Sequence, residues 1–276
     1  MKPNQGSIHP IGVFDSGIGG LSVANAIIRQ LPKENLLYLG DSGRIPYGNQ
    51  AQSTIKKYSF QITDYLLNAG CKAIVVACNT ASAAALNELR KAWPDIPFIG
   101  MEPAVKPGAE RTKTGKIGVL ATAGTFSSER YESLTSKFAT DMKVIENPCK
   151  GLVKLIEAGE TESKEIEELL QTILQPMLQE KVDTFILGCT HYPFVESNIR
   201  KIIGLDKTII NPAPAVARQT LKVLKDKSLL NTSTKSPKYH FLTTGDKQKF
   251  EENLNRFFEA NFSFEKLSLD HLKKLA

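Results

Sequence analysis

IVVACNTASA at residues 74–83 and FILGCTHYPF at residues 185–194 are the two stretches whose comparison decides the fold. Each is an apolar, β-rich run that closes on a small residue and a cysteine, followed by Asn or Thr, then Thr or His, then the start of a helical segment. The two cysteines, Cys78 and Cys189, stand 111 residues apart. A second pair repeats the order, IGVFDSGIGG at 11–20 against IGVLATAGTF at 117–126, with an offset of 106. Two matches in one order and at nearly one offset imply a duplicated fold whose halves face each other.

Short β-rich runs alternate with longer amphipathic stretches along the whole chain, which is the pattern of parallel α/β layers. Strands are expected at 11–15, 36–40, 73–77, 97–100, 116–121, 142–146, 184–188, 208–211 and, as the last one, 239–243. Helices are expected at 21–30, 51–68, 81–92, 127–138, 151–158, 163–179 and 214–225, with a helical 246–259 closing the chain. Two proline-rich joints, GMEPAVKPGA at 100–109 and NPAPAVAR at 211–218, are expected to stiffen connections and to end regular structure. They set the domain organisation: 1–102 plus 212–276 as a discontinuous first α/β domain, and 103–211 as a second one inserted into it. The fold class is therefore α/β, with two pseudo-symmetric domains, mainly parallel central sheets, and the active site in the cleft between them.

Composition narrows the function. The 276 residues are 41% hydrophobic and 23% charged, near the globular average, which excludes wholesale disorder and collagen. Four cysteines without a C-x-x-C pair form no disulfide framework and read as reduced thiols of a cytoplasmic protein. The N-terminal MKPNQGSIHP lacks the apolar core of a secretory signal, and the longest apolar run is broken by Asn79, Thr80 and Ser82, so export and membrane spanning are not expected. The net charge of +6 comes from scattered residues without aromatic interleaving, so no nucleic-acid partner is expected.

The spacing permits a specific chemistry. A cysteine at the carboxyl end of a parallel strand, just before a helix, lies where open α/β sheets collect ligands and where helix N–H groups favour negative charge. If two such thiols face one small ligand, one removes a proton as thiolate and the other delivers a proton to the opposite face, which is what inversion at carbon requires. Cys71 and Cys149 lack that pairing and read as small core residues. Asp15 and Ser16 end a strand before Gly17, Gly19 and Gly20, so a carboxylate and a hydroxyl stand where backbone can approach a ligand. A dinucleotide fingerprint fails at Ser22, where a third glycine or alanine is expected, although Asp41 lies at the distance of a ribose-binding acid. His191, two residues after Cys189, can tune that thiol; Cys-x-His alone makes no persuasive metal motif, and no metal is expected.

FDSGIGGLSV (14–23), GDSGRIPYG (40–48), ACNTAS (77–82), GVLATAGT (118–125), GCTHYP (188–193) and TTGD (243–246) together resemble the glutamate racemases of the aspartate/glutamate racemase superfamily. The aspartate branch usually carries an acidic residue after the second Cys-Thr, so His191 favours glutamate. The resemblance implies cofactor-independent interconversion of L- and D-glutamate. Cys78 would serve the D enantiomer and Cys189 the L enantiomer, with Asp15, His191 and, more loosely, Glu157 as assisting catalytic groups. It implies a substrate-contacting set of Asp15, Ser16, Tyr47, Gly48, Asn79, Thr80, Thr125, Thr190 and His191. It also implies a homodimer, a cytoplasmic location, and a role in peptidoglycan synthesis and hence cell shape. An interaction with DNA gyrase is known for the family, but no residue here demands it.

Overall fold

The computed structural model describes residues 8–273; residues 1–7, read above for the absence of a signal, and 274–276 lie outside them. The chain opens with β1 (Ile11–Asp15), α1 (Leu21–Gln30), β2 (Leu36–Gly40), α2 (Gln52–Asn68), β3 (Ala73–Val76), α3 (Asn79–Ala92) and β4 (Phe98–Gly100). It continues through α4 (Val105–Arg111), β5 (Lys116–Ala121), α5 (Ala123–Phe126), α6 (Glu129–Phe138), β6 (Lys143–Asn147) and α7 (Leu152–Glu157). Then come α8 (Lys164–Gln179), β7 (Thr184–Gly188), α9 (Glu196–Ile203) and β8 (Thr208–Ile210). The last part is α10 (Ala213–Asp226), β9 (Tyr239–Thr243), α11 (Lys247–Phe257), β10 (Ser263–Lys266) and α12 (Leu269–Lys273).

These elements form two compact units, Met1–Met101 with Ala213–Ala276, and Glu102–Pro212. The first carries a six-stranded sheet in the order β10-β9-β2-β1-β3-β4, and the second a four-stranded sheet in the order β6-β5-β7-β8. Every pairing in both is parallel. Numbered within each unit, the four strands β1 to β4 and the four strands β5 to β8 follow the same order, 2-1-3-4. The duplication seen in the sequence is thus a duplication of topology, extended in the first unit by β9 and β10.

Burial explains which strands the sequence announces. β1, β2, β3 and β7 are buried at every position, as strands covered by helices on both faces must be, and they read as continuous apolar runs. In the first unit Phe14, Leu39, Ile74 and Val76 meet Ile55, Ile62 and Leu66 of α2 and Leu86 and Leu89 of α3. Each such side chain contributes about 1.5–3 kcal/mol on burial. On other faces of that unit α1 packs against α10 and α11. In the second unit Ile117, Val119 and Ile186 pack with Val105 of α4 and with Tyr131 and Leu134 of α6. Helix starts are capped locally: Ser128 Oγ accepts from the Tyr131 N–H at 3.2 Å, Ser163 Oγ from Ile166 at 3.4 Å, and Asp246 Oδ1 from Lys249 at 2.8 Å. Lys72 Nζ and Glu34 Oε2 form a buried ion pair in the first unit at 2.5 Å, and Glu34 Oε1 also accepts the Asn231 N–H at 2.7 Å.

Two expectations need correction. The first proline-rich joint is not irregular throughout, since it enters α4, which contains Pro107, whereas α10 begins around Pro214, where a helix is expected. Both prolines fall in a first turn, where the missing N–H has no intrahelical partner to lose. The chain also does not close on one helix after a last strand at 239–243, because β10 follows α11 and pairs with β9 before α12.

Candidate active site

In the first unit β1 lies between β2 and β3, so the chain crosses from one side of β1 to the other. At such a reversal the carboxyl ends of the two strands leave a crevice where ligands bind. Asp15 ends β1 and is fully buried; its Oδ1 accepts from the Ser16 N–H at 2.5 Å and from Ser16 Oγ at 3.1 Å. Gly20 permits this packing, because a Cβ there would stand 2.7 Å from Asp15 Cβ and 2.7 Å from the Tyr38 hydroxyl. That hydroxyl donates to the Gly17 carbonyl at 2.7 Å, fixing the turn beneath Asp15.

Cys78 follows β3 and caps α3. Its sulfur accepts the Ala81 N–H at 3.4 Å and lies 3.9 Å from Ser16 Oγ, so Ser16 bridges the carboxylate of Asp15 and the thiol. The N-terminus of α3 favours negative charge at this point, which suits a thiolate or a bound carboxylate. Asn79 and Thr80 occupy the first turn of α3 and are buried. Both amide atoms of Asn79 lack a hydrogen-bond partner among the described residues. A buried amide with neither donor nor acceptor used is costly unless something outside the chain completes it.

Tyr47 and Gly48 lie in a short 3-10 turn after the loop 41–46. The Tyr47 ring is buried and its hydroxyl donates to Asp41 Oδ2, so what this residue can offer a ligand is its main chain. Asp41 is not a ribose-binding acid: it is fully buried and also accepts from Arg44 Nε at 2.7 Å and Thr244 Oγ1 at 2.7 Å. Burial still holds its carboxyl above the ordinary range, with Arg44, Tyr47 and Thr244 pulling the other way. Sequence reasoning gave no role to Arg44 or Thr244, although GDSGRIPYG and TTGD both stood among its motifs.

The second unit repeats the arrangement at the ends of β5 and β7. Thr125 follows β5 and its hydroxyl lies 3.2 Å from that of Thr122. After β7 come Cys189, Thr190 and His191, all buried. Cys189 Sγ stands 3.6 Å from His191 Nδ1, and His191 Nε2 stands 2.6 Å from Glu157 Oε1 at the end of α7. A carboxylate, an imidazole and a thiol are therefore in series. Burial alone would disfavour the imidazolium, but hydrogen bonds to Cys189 and Glu157 and their negative charge outweigh it and hold His191 well above the usual histidine range. Burial pushes the thiols of Cys71 and Cys149 up to about 12. The Tyr192 hydroxyl, fully buried, has the sulfurs of Cys149 and Cys189 as its polar neighbours. Among the described residues no group of three or more His, Cys, Asp or Glu could hold a metal ion, and no helix is long and apolar enough to cross a membrane.

A family model described as Asp/Glu/Hydantoin racemase matches residues 11–220. A glutamate racemase of Pseudomonas syringae pv. tomato is 49% identical over 227 residues, covering 82% of each chain. The chain belongs to the glutamate racemase family. Membership makes it an isomerase of the amino-acid racemase class. Among solved family structures, an isoform from Bacillus anthracis superposes with a TM-score of 0.86 at 40% identity, over 95% of this chain and 98% of that one. The Francisella tularensis subsp. tularensis enzyme, solved in complex with D-glutamate, gives 0.84 at 34% identity, over 96% and 99%.

Proposed function

We propose that this racemase interconverts L- and D-glutamate by a two-base proton transfer, with one catalytic thiol from each unit and no cofactor. The observation that carries the reading is the equivalence of Cys78 and Cys189: each follows the third strand of the same 2-1-3-4 sheet, buried, at a strand end where ligands collect. D-glutamate in the Francisella tularensis relative supports the substrate.

Cys78 as thiolate takes the α-proton of D-glutamate, and Cys189 as thiol delivers a proton to the opposite face; L-glutamate runs the same step in reverse. Negative charge grows on the substrate as the proton leaves. In this reading the α3 N-terminus, the Asn79 amide and the hydroxyls of Ser16, Thr80, Thr125 and Thr190 hold the carboxylate and the developing charge. Asp15, through Ser16, orients the Cys78 side, and Glu157 through His191 does so for Cys189. Each turnover leaves the two thiols with exchanged protonation states, so the enzyme is reset by proton exchange with water. By the family resemblance the D-glutamate supplies peptidoglycan synthesis in the cytoplasm, and the enzyme is a homodimer.

The test is a circular-dichroism assay of enantiopure glutamate and aspartate in D2O, without added cofactor. Racemisation of glutamate with deuterium entering the α-position of the product is expected. Cys78→Ala and Cys189→Ala should each abolish it while remaining folded. Normal turnover in either variant would refute the two-thiol scheme, and turnover of aspartate alone would refute the substrate.

A further inference from the structure

The loop 41–49 carries Tyr47 and Gly48, and its tethers lead away from the reacting atoms to a segment that the chemistry leaves unused, TTGD at 243–246. Three donors from two segments converge on Asp41: Arg44 and Tyr47 of the loop on Oδ2, and Thr244 on Oδ1. Thr244 Oγ1 also accepts the Gly43 N–H at 3.0 Å, so one hydroxyl joins the carboxylate to the loop backbone. The two segments meet main chain to main chain. A Cβ on Gly43 would stand 2.7 Å from the Thr244 carbonyl oxygen, and one on Gly245 would stand 2.8 Å from Ser42 Cβ. Arg44 ties the other side of the loop to α2, donating to Gln61 Oε1 at 2.7 Å and lying 4.0 Å over the Tyr58 ring.

A buried carboxylate is tolerated only when its lone pairs are filled, and here they are filled by the loop and its anchor. The consequence for binding follows from Tyr47. With its hydroxyl committed to Asp41, contact with substrate falls to the main chain of Tyr47 and Gly48, which cannot adjust by turning a side chain. Its position is set by whatever holds the loop. We propose that Asp41 and Thr244 form a latch, and that Asp41 is a positioning residue holding the Tyr47–Gly48 segment in its substrate-binding conformation. The proposal rests on the reading that this segment contacts glutamate.

Thr244→Val keeps the shape and deletes the hydroxyl, and with it two hydrogen bonds, one to Asp41 and one from Gly43. The expected result is a KM for both enantiomers raised about tenfold with kcat within about twofold of wild type, as befits lost ground-state positioning. Thr244→Ser restores wild-type values. Amide hydrogen exchange over 42–49 is expected to accelerate about tenfold in Thr244→Val while the strands of the same unit are unchanged. Tyr47→Phe, which removes one bond, gives the same KM effect at about threefold. Unchanged KM in both variants, or a loss confined to kcat, overturns the latch, as does loop exchange indistinguishable from wild type. If the wild-type protein fails to racemise glutamate, the functional reading falls, while the exchange comparison still decides whether Thr244 and Tyr47 hold the loop.

Discussion

Replacing Glu157 by Gln tests the series Glu157–His191–Cys189 with little change of shape. The two partners stand 2.6 Å apart with side chains only 2% and 15% exposed, so water screens the pair weakly. A hydrogen bond to a charged group contributes about 1.5–3 kcal/mol and one between neutral groups about 0.5–1.5 kcal/mol. The substitution therefore removes about 1–2 kcal/mol that favours the imidazolium, which is about 5- to 30-fold in the protonation equilibrium of His191. The sign is fixed by the native state, where Cys189 and Glu157 hold His191 above its ordinary value against the effect of burial. In Glu157→Gln the imidazole titration must move to lower pH. Two measurements read this: ring NMR of His191, one of four histidines in the chain, and the pH profile of kcat/KM, whose His191 limb should move the same way. Because enantiomers have equal free energy in water, kcat/KM must fall equally in both directions, which gives an internal control. A His191 titration that stays in place or moves to higher pH would refute the reasoning, as would a fall in kcat/KM with an unmoved profile.

Asn79→Ala should leave the urea midpoint unchanged or raise it, since its buried amide has no partner among the described residues to lose, while KM for glutamate rises about tenfold; clear destabilisation would make Asn79 a structural residue. Gly20→Ala drives a methyl to 2.7 Å from Asp15 Cβ and the Tyr38 hydroxyl, and should cost about 1–3 kcal/mol by chemical denaturation, with activity falling as Asp15 shifts. Glu34→Gln leaves Lys72 buried without its counter-charge and should cost about 3–5 kcal/mol, whereas the double change Glu34→Leu with Lys72→Met should recover most of it. The wild-type advantage over Glu157→Gln in thermal stability should be full below about pH 6.5, the unfolded histidine value, and shrink as pH rises through the higher folded one, because a raised pKa stabilises only while the proton is bound.

The parallel strands were legible because burial on both faces leaves no polar alternation, as in IGVFD and FILGC. The same reasoning explains what escaped. β10 is an edge strand whose SFEK has Phe264 as its single partly buried apolar residue, too little pattern to distinguish from a loop. α4 was hidden by Pro107 and Gly108, which read as a joint, yet Gly108 serves packing: a Cβ there would lie 2.7 Å from Ile186 Cδ1. α9 spans only Glu196–Ile203, too short for its period to stand out. At the candidate site, strand-end position and local spacing brought Asp15, Ser16, Cys78, Cys189 and His191 to notice from sequence. Contacts distant in sequence did not announce themselves. Glu157 lies 34 residues from His191, and Thr244 lies 203 from Asp41; nothing local links either pair.

The division of the chain bears on its biosynthesis. The unit that holds Cys189 is the continuous stretch Glu102–Pro212, whereas the unit that holds Cys78 is split between Met1–Met101 and Ala213–Ala276. A nascent chain emerging from the ribosome can therefore complete the later unit before the earlier one. Until its final segment is made, β2 has no β9 beside it, α1 has no α10 against it, and Asp41 has no Thr244 to bond. An interrupted or clipped product thus carries an uncovered strand edge of the kind that promotes aggregation, and Cys78 sits in an unfinished sheet.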